Sequence, residues 1–277
     1  MENFLSKIMK IFMKPEMMVL PGQLAFFIVL AIFPLLTLIG YIGSNISLFS
    51  NSFISLVNQV LPADVASVLL PFMTDGKITG NIAFFMIVGF YLISNGTNSL
   101  IITSNELYGI KHDPFFRRRV KAFFMIILLI ALFIFNVLIL AYGNIIVNKI
   151  VSLDVFAGIA GKIYSFYFLL KWPIAFICIF WMIKLIYSLA PDSNIPSAYM
   201  NKGAIFTTVC WILITYIYSI YLANFANYTM FYGGISTIIV MMIWIYFLSF
   251  VFVMGIAINA AEYNDIMNKS KKSVQDK

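Results

Sequence analysis

Three asparagines and a glutamate, spaced down one apolar stretch, are the residues of this chain best placed to do chemistry. On a helix, Tyr91, Asn95, Asn98, Ser99, Ile102, Asn105 and Glu106 fall within about a third of the circumference. Amides and a carboxylate cannot face lipid without losing hydrogen bonds worth several kcal/mol, so this side is expected to look inward. Two uses stay open for it. Asn and Ser side chains can bond helix to helix, at roughly 0.6–2 kcal/mol each, or they can line a watery path for a small solute. A second stripe, Thr208, Trp211, Thr215, Tyr218 and Ser219, shares one face of a later apolar segment. It is expected to oppose the asparagines, with plain core packing of the aromatics as the alternative. Asn259 and Glu262 extend the candidate path at the end of the last apolar stretch.

Conventional catalytic arrangements find no material here. His112 is the single histidine, which excludes histidine-based triads and multi-histidine metal sites. Cys178 and Cys210 both lie inside apolar stretches and read as packing residues. No acidic cluster has metal-ligand spacing, so no catalytic residue, metal or cofactor is expected.

Positioning such side chains falls to membrane helices. Of 277 residues, 62% are hydrophobic and 10% charged, with a mean hydropathy of +0.97; soluble domains carry about a quarter charged residues. The net charge of +7 sits beside apolar spans, which points to an anionic lipid leaflet and not to nucleic acid. Arg117, Arg118, Arg119 and Lys121 abut one such span. They read as headgroup anchors of the positive-inside kind, or as a specific phosphate site.

The chain therefore reads as an all-α polytopic bundle, one integral-membrane domain over residues 1–277. Its six transmembrane helices are expected at about 24–43, 82–104, 122–147, 163–189, 203–223 and 235–258. Residues 1–22 form a basic amphipathic segment along the interface, or a leader that sets topology; Pro15 breaks it and Pro21-Gly22 separates it from the first span. The stretch 44–81 is an extracytoplasmic amphipathic connector, and 263–277 a polar, disordered cytoplasmic tail. Pro34 and Pro173 each remove a helical hydrogen bond and are expected to kink their spans, toward a cavity or as packing bends. Lys171 either reaches the outer interface or places a charge in a cavity, and Lys184 snorkels to the inner edge. Thirteen Lys and Arg fall in the connectors on the N-terminal side of the membrane, against Lys77, Lys149 and Lys162 on the other. That bias places both termini in the cytoplasm, which an even number of spans satisfies.

Several segments carry a family resemblance. Gly203-Ala204, Trp211, Tyr218-Ser-Ile-Tyr221, Asn227-Tyr-Thr-Met-Phe-Tyr-Gly-Gly234 and Trp244-Ile-Tyr246 resemble signatures of the YihY/virulence factor BrkB family of bacterial inner-membrane proteins, once mislabelled ribonuclease BN. Leu24 to Pro34, Asn105 to Tyr108 and Tyr187-Ser-Leu-Ala-Pro191 add to it, so the resemblance covers nearly the whole chain. It implies a location and a fold more than an activity. The family usually carries glutamate two residues after Gly255, where this chain has Ala257; Glu262 can substitute only by reaching back a turn.

Two functions are weighed. One is a transporter-like bundle passing a small solute or lipid-related molecule, its halves 24–147 and 163–261 of opposite topology, as in inverted-repeat transporters. The other is a scaffold or envelope-integrity factor whose polar stripes only hold helices together. An enzyme is not expected. Partners are the lipid bilayer and an unidentified small solute or lipid.

Overall fold

The computed structural model describes residues 12–13, 15–44, 82–128, 160–225 and 235–275, and these are helical with short turns between. In chain order the helices are α1 (Glu16–Ser44), α2 (Ile82–Tyr108), α3 (residues 115–128), α4 (Ala160–Leu189), α5 (Asn201–Phe225) and α6 (Ile235–Gln275). A short 3-10 turn, Ser197–Met200, leads into α5. Among the described residues there is no strand. Most of the amphipathic segment, the connector after α1, the second half of the third span and the Asn227–Gly234 signature lie outside the described residues.

Helix α6 is the axis of the bundle, packing against α1, α2 and α5. Its run from Val251 to Ala260 is buried without a break. Forty-one residues make a helix of about 60 Å, twice the ~30 Å of hydrocarbon that a span must cross, so its last turns project beyond the apolar layer. Outer faces stay apolar and open: Ile205, Val209, Ile212, Leu213, Tyr216 and Ile217 are all exposed along α5. In water such a face would be unstable; against acyl chains it is at rest.

Glycine brings α5 and α6 together. A Cβ on Gly203 would strike the Gly255 carbonyl and the Asn259 amide, and one on Gly255 would strike the Thr207 and Tyr187 hydroxyls. Close backbone approach through small residues is how membrane helices gain contact where no hydrophobic drive exists between them. Around that crossing Gly203 N–H donates to Asn259 Oδ1 at 2.7 Å, and the Tyr187 hydroxyl donates to the Phe252 carbonyl at 2.8 Å. Tyr187 and Thr207 share a further bond at 2.7 Å. Three helices are thus held at one level.

Two boundary expectations change. Pro21-Gly22 does not separate a leader from the first span; α1 starts at Glu16 and runs through both. Burial of Met17, Leu20, Pro21 and Leu24 on one side of that helix outweighs the roughly 3 kcal/mol an interior proline costs. Residues 263–275 of the polar tail are helical, α6 continuing to Gln275. Tyr263 anchors that extension, its ring 6.0 Å from Tyr108 and 5.4 Å from Tyr199. The backbone also stays helical across Pro34 and Pro173; the side chains of Pro34 and Lys171 lie outside the described set.

Candidate functional site

Where the basic residues gather, α2 ends in a turn that needs glycine. Gly109 has φ 66°, the left-handed geometry that only glycine adopts freely. Its N–H bonds the Glu106 carbonyl at 3.2 Å and the Ile110 N–H bonds the Asn105 carbonyl at 2.9 Å. That paired closure of a helix C-terminus throws residues 110–114 back across the bundle, so that His112 and Asp113 stand over Asn105.

Asn105 is fully buried and every polar atom of its amide is used. Its Nδ2 donates to Asp192 Oδ2 at 2.6 Å and approaches His112 Nδ1 at 3.2 Å, while its Oδ1 accepts the Asp192 N–H at 2.9 Å. Since His112 Nδ1 accepts, the ring proton sits on Nε2 and points to Glu106 Oε1 at 3.1 Å. Asp192 also accepts the Asp113 N–H at 3.2 Å and Lys121 Nζ at 2.9 Å. The same ammonium donates to the carbonyls of Ala190 and Pro191 at 2.9 and 2.6 Å. Burial by itself pushes the Asp192 carboxyl up, but the bonds from Lys121, Asn105 and the Asp113 backbone outweigh it and hold it below its ordinary value. One carboxylate, 1% exposed, thus ties α2, α3 and the turn after α4.

Higher along α2 the polar side turns toward α3. Arg119 donates to Ser94 at 3.2 Å and lies 5.1 Å over the Tyr91 ring, which places Asn95 and Asn98, both half-buried, beside that helix. Ser99, Thr103 and Ser104 are buried, and their hydroxyls have no hydrogen-bond partner among the described residues. Gly96, Ser99 and Thr103 share one side by spacing. There a Cβ on Gly96 would sit 3.7 Å from Phe27 of α1, so the Ser99 and Thr103 hydroxyls look toward the α1 seam.

The second stripe does not oppose the first. Trp211 Nε1 donates to the Leu248 carbonyl at 2.9 Å, and Tyr218 stacks on Trp244 with centroids 5.6 Å apart. Both partners belong to α6, which packs against α2 as well as α5; Thr215 is half-buried on the same helix as Trp211. Other expectations shift for equally local reasons. Glu106 is exposed, although Asn105, Leu107 and Tyr108 beside it are buried, and its carboxylate meets the His112 ring. Glu262 does not reach back toward Ala257; it meets Lys202 Nζ at 2.6 Å. Lys121 is engaged by Asp192 and two carbonyls instead of lipid. Lys184 rests 4.9 Å over the Trp181 ring. Cys178 and Cys210 are free thiols. Asp192 and Thr207 were missed from sequence. A carboxylate directly after Pro191, opposite a basic cluster, was the available signal for the first; nothing marked the second.

Apolar outer faces, polar groups turned inward and a basic end define an integral-membrane helical protein. Ser197–Tyr221 and Ile239–Lys269 are each long and apolar enough to cross a bilayer, with shorter apolar stretches at Met17–Ala31 and Pro173–Leu189. The chain belongs to the virulence factor BrkB family, whose profile matches residues 8–277. It is 26% identical over 256 residues to the ribonuclease-like protein YfkH of Bacillus subtilis, covering 91% of this chain and 90% of that one. UPF0761 membrane protein VV0203 of Vibrio vulnificus is 26% identical over 253 residues, 87% and 76% of the two chains. A UPF0761 membrane protein of Glaesserella parasuis shares 28% over 178 residues, 63% and 58%. No solved structure matches the chain.

Proposed function

We propose that this is a six-span protein of the bacterial cytoplasmic membrane, with both termini in the cytoplasm, that passes a small solute or lipid-related molecule along the polar side of α2. The buried hydroxyls of Ser99, Thr103 and Ser104 carry this reading. Each lacks a partner among the described residues, and an unmet buried polar group costs about 1–3 kcal/mol. Water or a passing polar molecule offsets that cost, and Asn95 and Asn98 continue the polar side with half-buried amides. Thirteen Lys and Arg in the connectors of one side support the orientation. The reading includes no enzymatic step; His112, the single histidine, is held between Asn105 and Glu106.

The test is thiol accessibility. In a background with Cys178→Ser and Cys210→Ser, Asn98→Cys, Ser99→Cys and Thr103→Cys are treated in intact cells and inverted vesicles with a membrane-impermeant maleimide. Reaction at these positions, with none at Leu213→Cys on the lipid face, is expected. Silence at all three, in folded protein, sinks the path.

The scaffold reading has its own observation. Asn105, Trp211 and Asn259 are all engaged in bonds between segments, as helix glue would be.

A further inference from the structure

Among the described residues at the basic end, four carboxylates have side-chain partners. Asp113 takes Arg117 Nε at 3.3 Å, Asp192 takes Lys121 at 2.9 Å, Glu106 meets His112 at 3.1 Å, and Glu262 meets Lys202 at 2.6 Å. Arg119 is satisfied by the Ser94 hydroxyl and by the rings of Tyr91 and Phe115, 5.1 and 5.8 Å away. The Arg118 side chain has no partner among the described residues, and its Nε is closed off from solvent.

Nor does Arg118 point where a lipid anchor would. Phe116, Val120 and Phe124 take the exposed side of α3. Arg118 instead shares, by spacing, the side of Ala122 and Met125, which are 0% and 3% exposed. A guanidinium stays charged at every physiological pH and offers donors in a planar fork that matches an oxyanion. Lodged at the bundle side of α3 beside Arg119 and Lys121, it adds to a local positive field, and no carboxylate among the described residues pairs with it.

We propose that Arg118 is an anion-recognising residue that takes a phosphate group at the basic end of the bundle, beside the polar side of α2. It deepens the path reading by giving the passing molecule an anionic head, and it rests on that reading only for the molecule's direction of travel. Binding itself requires no transport. A phosphate can arrive as a phospholipid headgroup or as a free anion, and the assay separates the two.

The full chain is purified in detergent. Retention of phosphatidylglycerol and of the zwitterionic phosphatidylethanolamine is measured by native mass spectrometry, with and without competing inorganic phosphate. Phosphatidylglycerol is expected to bind the wild type, with at least tenfold weaker binding in Arg118→Gln and less than twofold change in Arg117→Gln, whose side chain already has Asp113. Loss of the lipid on adding phosphate assigns the site to a free anion; lipid retained against phosphate assigns it to a headgroup. Equal binding by wild type and Arg118→Gln overturns the proposal for either lipid, since both headgroups carry a phosphate. Where Arg118→Gln does not fold, Arg118→Lys keeps the charge but not the fork. At least threefold weaker binding is then expected, and unchanged binding overturns the site.

Discussion

Asn105 and Asp192, 87 positions apart in sequence, hold each other twice: the amide of one donates to the carboxylate of the other at 2.6 Å, and the backbone N–H of Asp192 returns a bond to Asn105 Oδ1 at 2.9 Å. Reciprocal pairing of this kind fixes both position and rotation of α2 against the turn after α4. Replacing Asn105 by Leu leaves a buried N–H and part of a carboxylate unmet. The expected loss is about 2–3 kcal/mol, seen as a lower melting temperature of the detergent-purified protein. Asn105→Leu melting like wild type would show the pair to be idle.

The same carboxylate sets an acid limit. Because Asp192 is held below its ordinary value in the folded chain, the unfolded chain takes the proton first. The stabilisation is therefore complete above about pH 4 and fades as pH falls from there toward the folded value. Melting temperature measured between pH 7 and pH 3 should drop at the acid end for wild type. Asp192→Asn should start lower and show a flatter slope; parallel curves would contradict the assignment.

Glycines in this bundle are unequal. Gly255→Ala forces a methyl against the Thr207 and Tyr187 hydroxyls, and Gly203→Ala forces one against the Gly255 carbonyl. Overpacking of this sort costs about 1–3 kcal/mol or more. Gly22→Ala, whose new atom would lie 4.0 Å from Tyr246, is expected to be neutral or to gain up to about 1 kcal/mol from lost backbone freedom. Folded yield by fluorescence-detected gel filtration ranks the three, and a Gly22→Ala defect as large as that of Gly255→Ala would refute the packing argument.

Glu262 is expected to matter little. Its partner Lys202 is 65% exposed, and exposed ion pairs contribute about 0–1 kcal/mol with strong salt screening. Glu262→Gln should shift stability by less than that, and the shift should vanish in high salt.

Membrane helices and the burial of Asn105 were legible in the sequence because both follow from composition and spacing. Asn105 is where that reasoning reached furthest: a buried polar side chain was expected there, and one is found. Its partner was not legible, since 87 intervening residues carry no local mark of the pairing. Lys121 looked like another lipid anchor because periodicity and charge count cannot tell a solvated ammonium from one bound by two carbonyls and a carboxylate. Pro21 and the polar end of α6 misled for a shared reason. Local propensity argued for a break and a frayed tail, and tertiary contacts through Met17, Leu24 and Tyr263 overruled it.

The contact between Gly203 and Gly255 restricts how this molecule can work. Two backbones that meet without side chains between them, pinned by Tyr187 and Asn259, cannot shear or roll past one another without collision. α5 and α6 must then travel as a single strut.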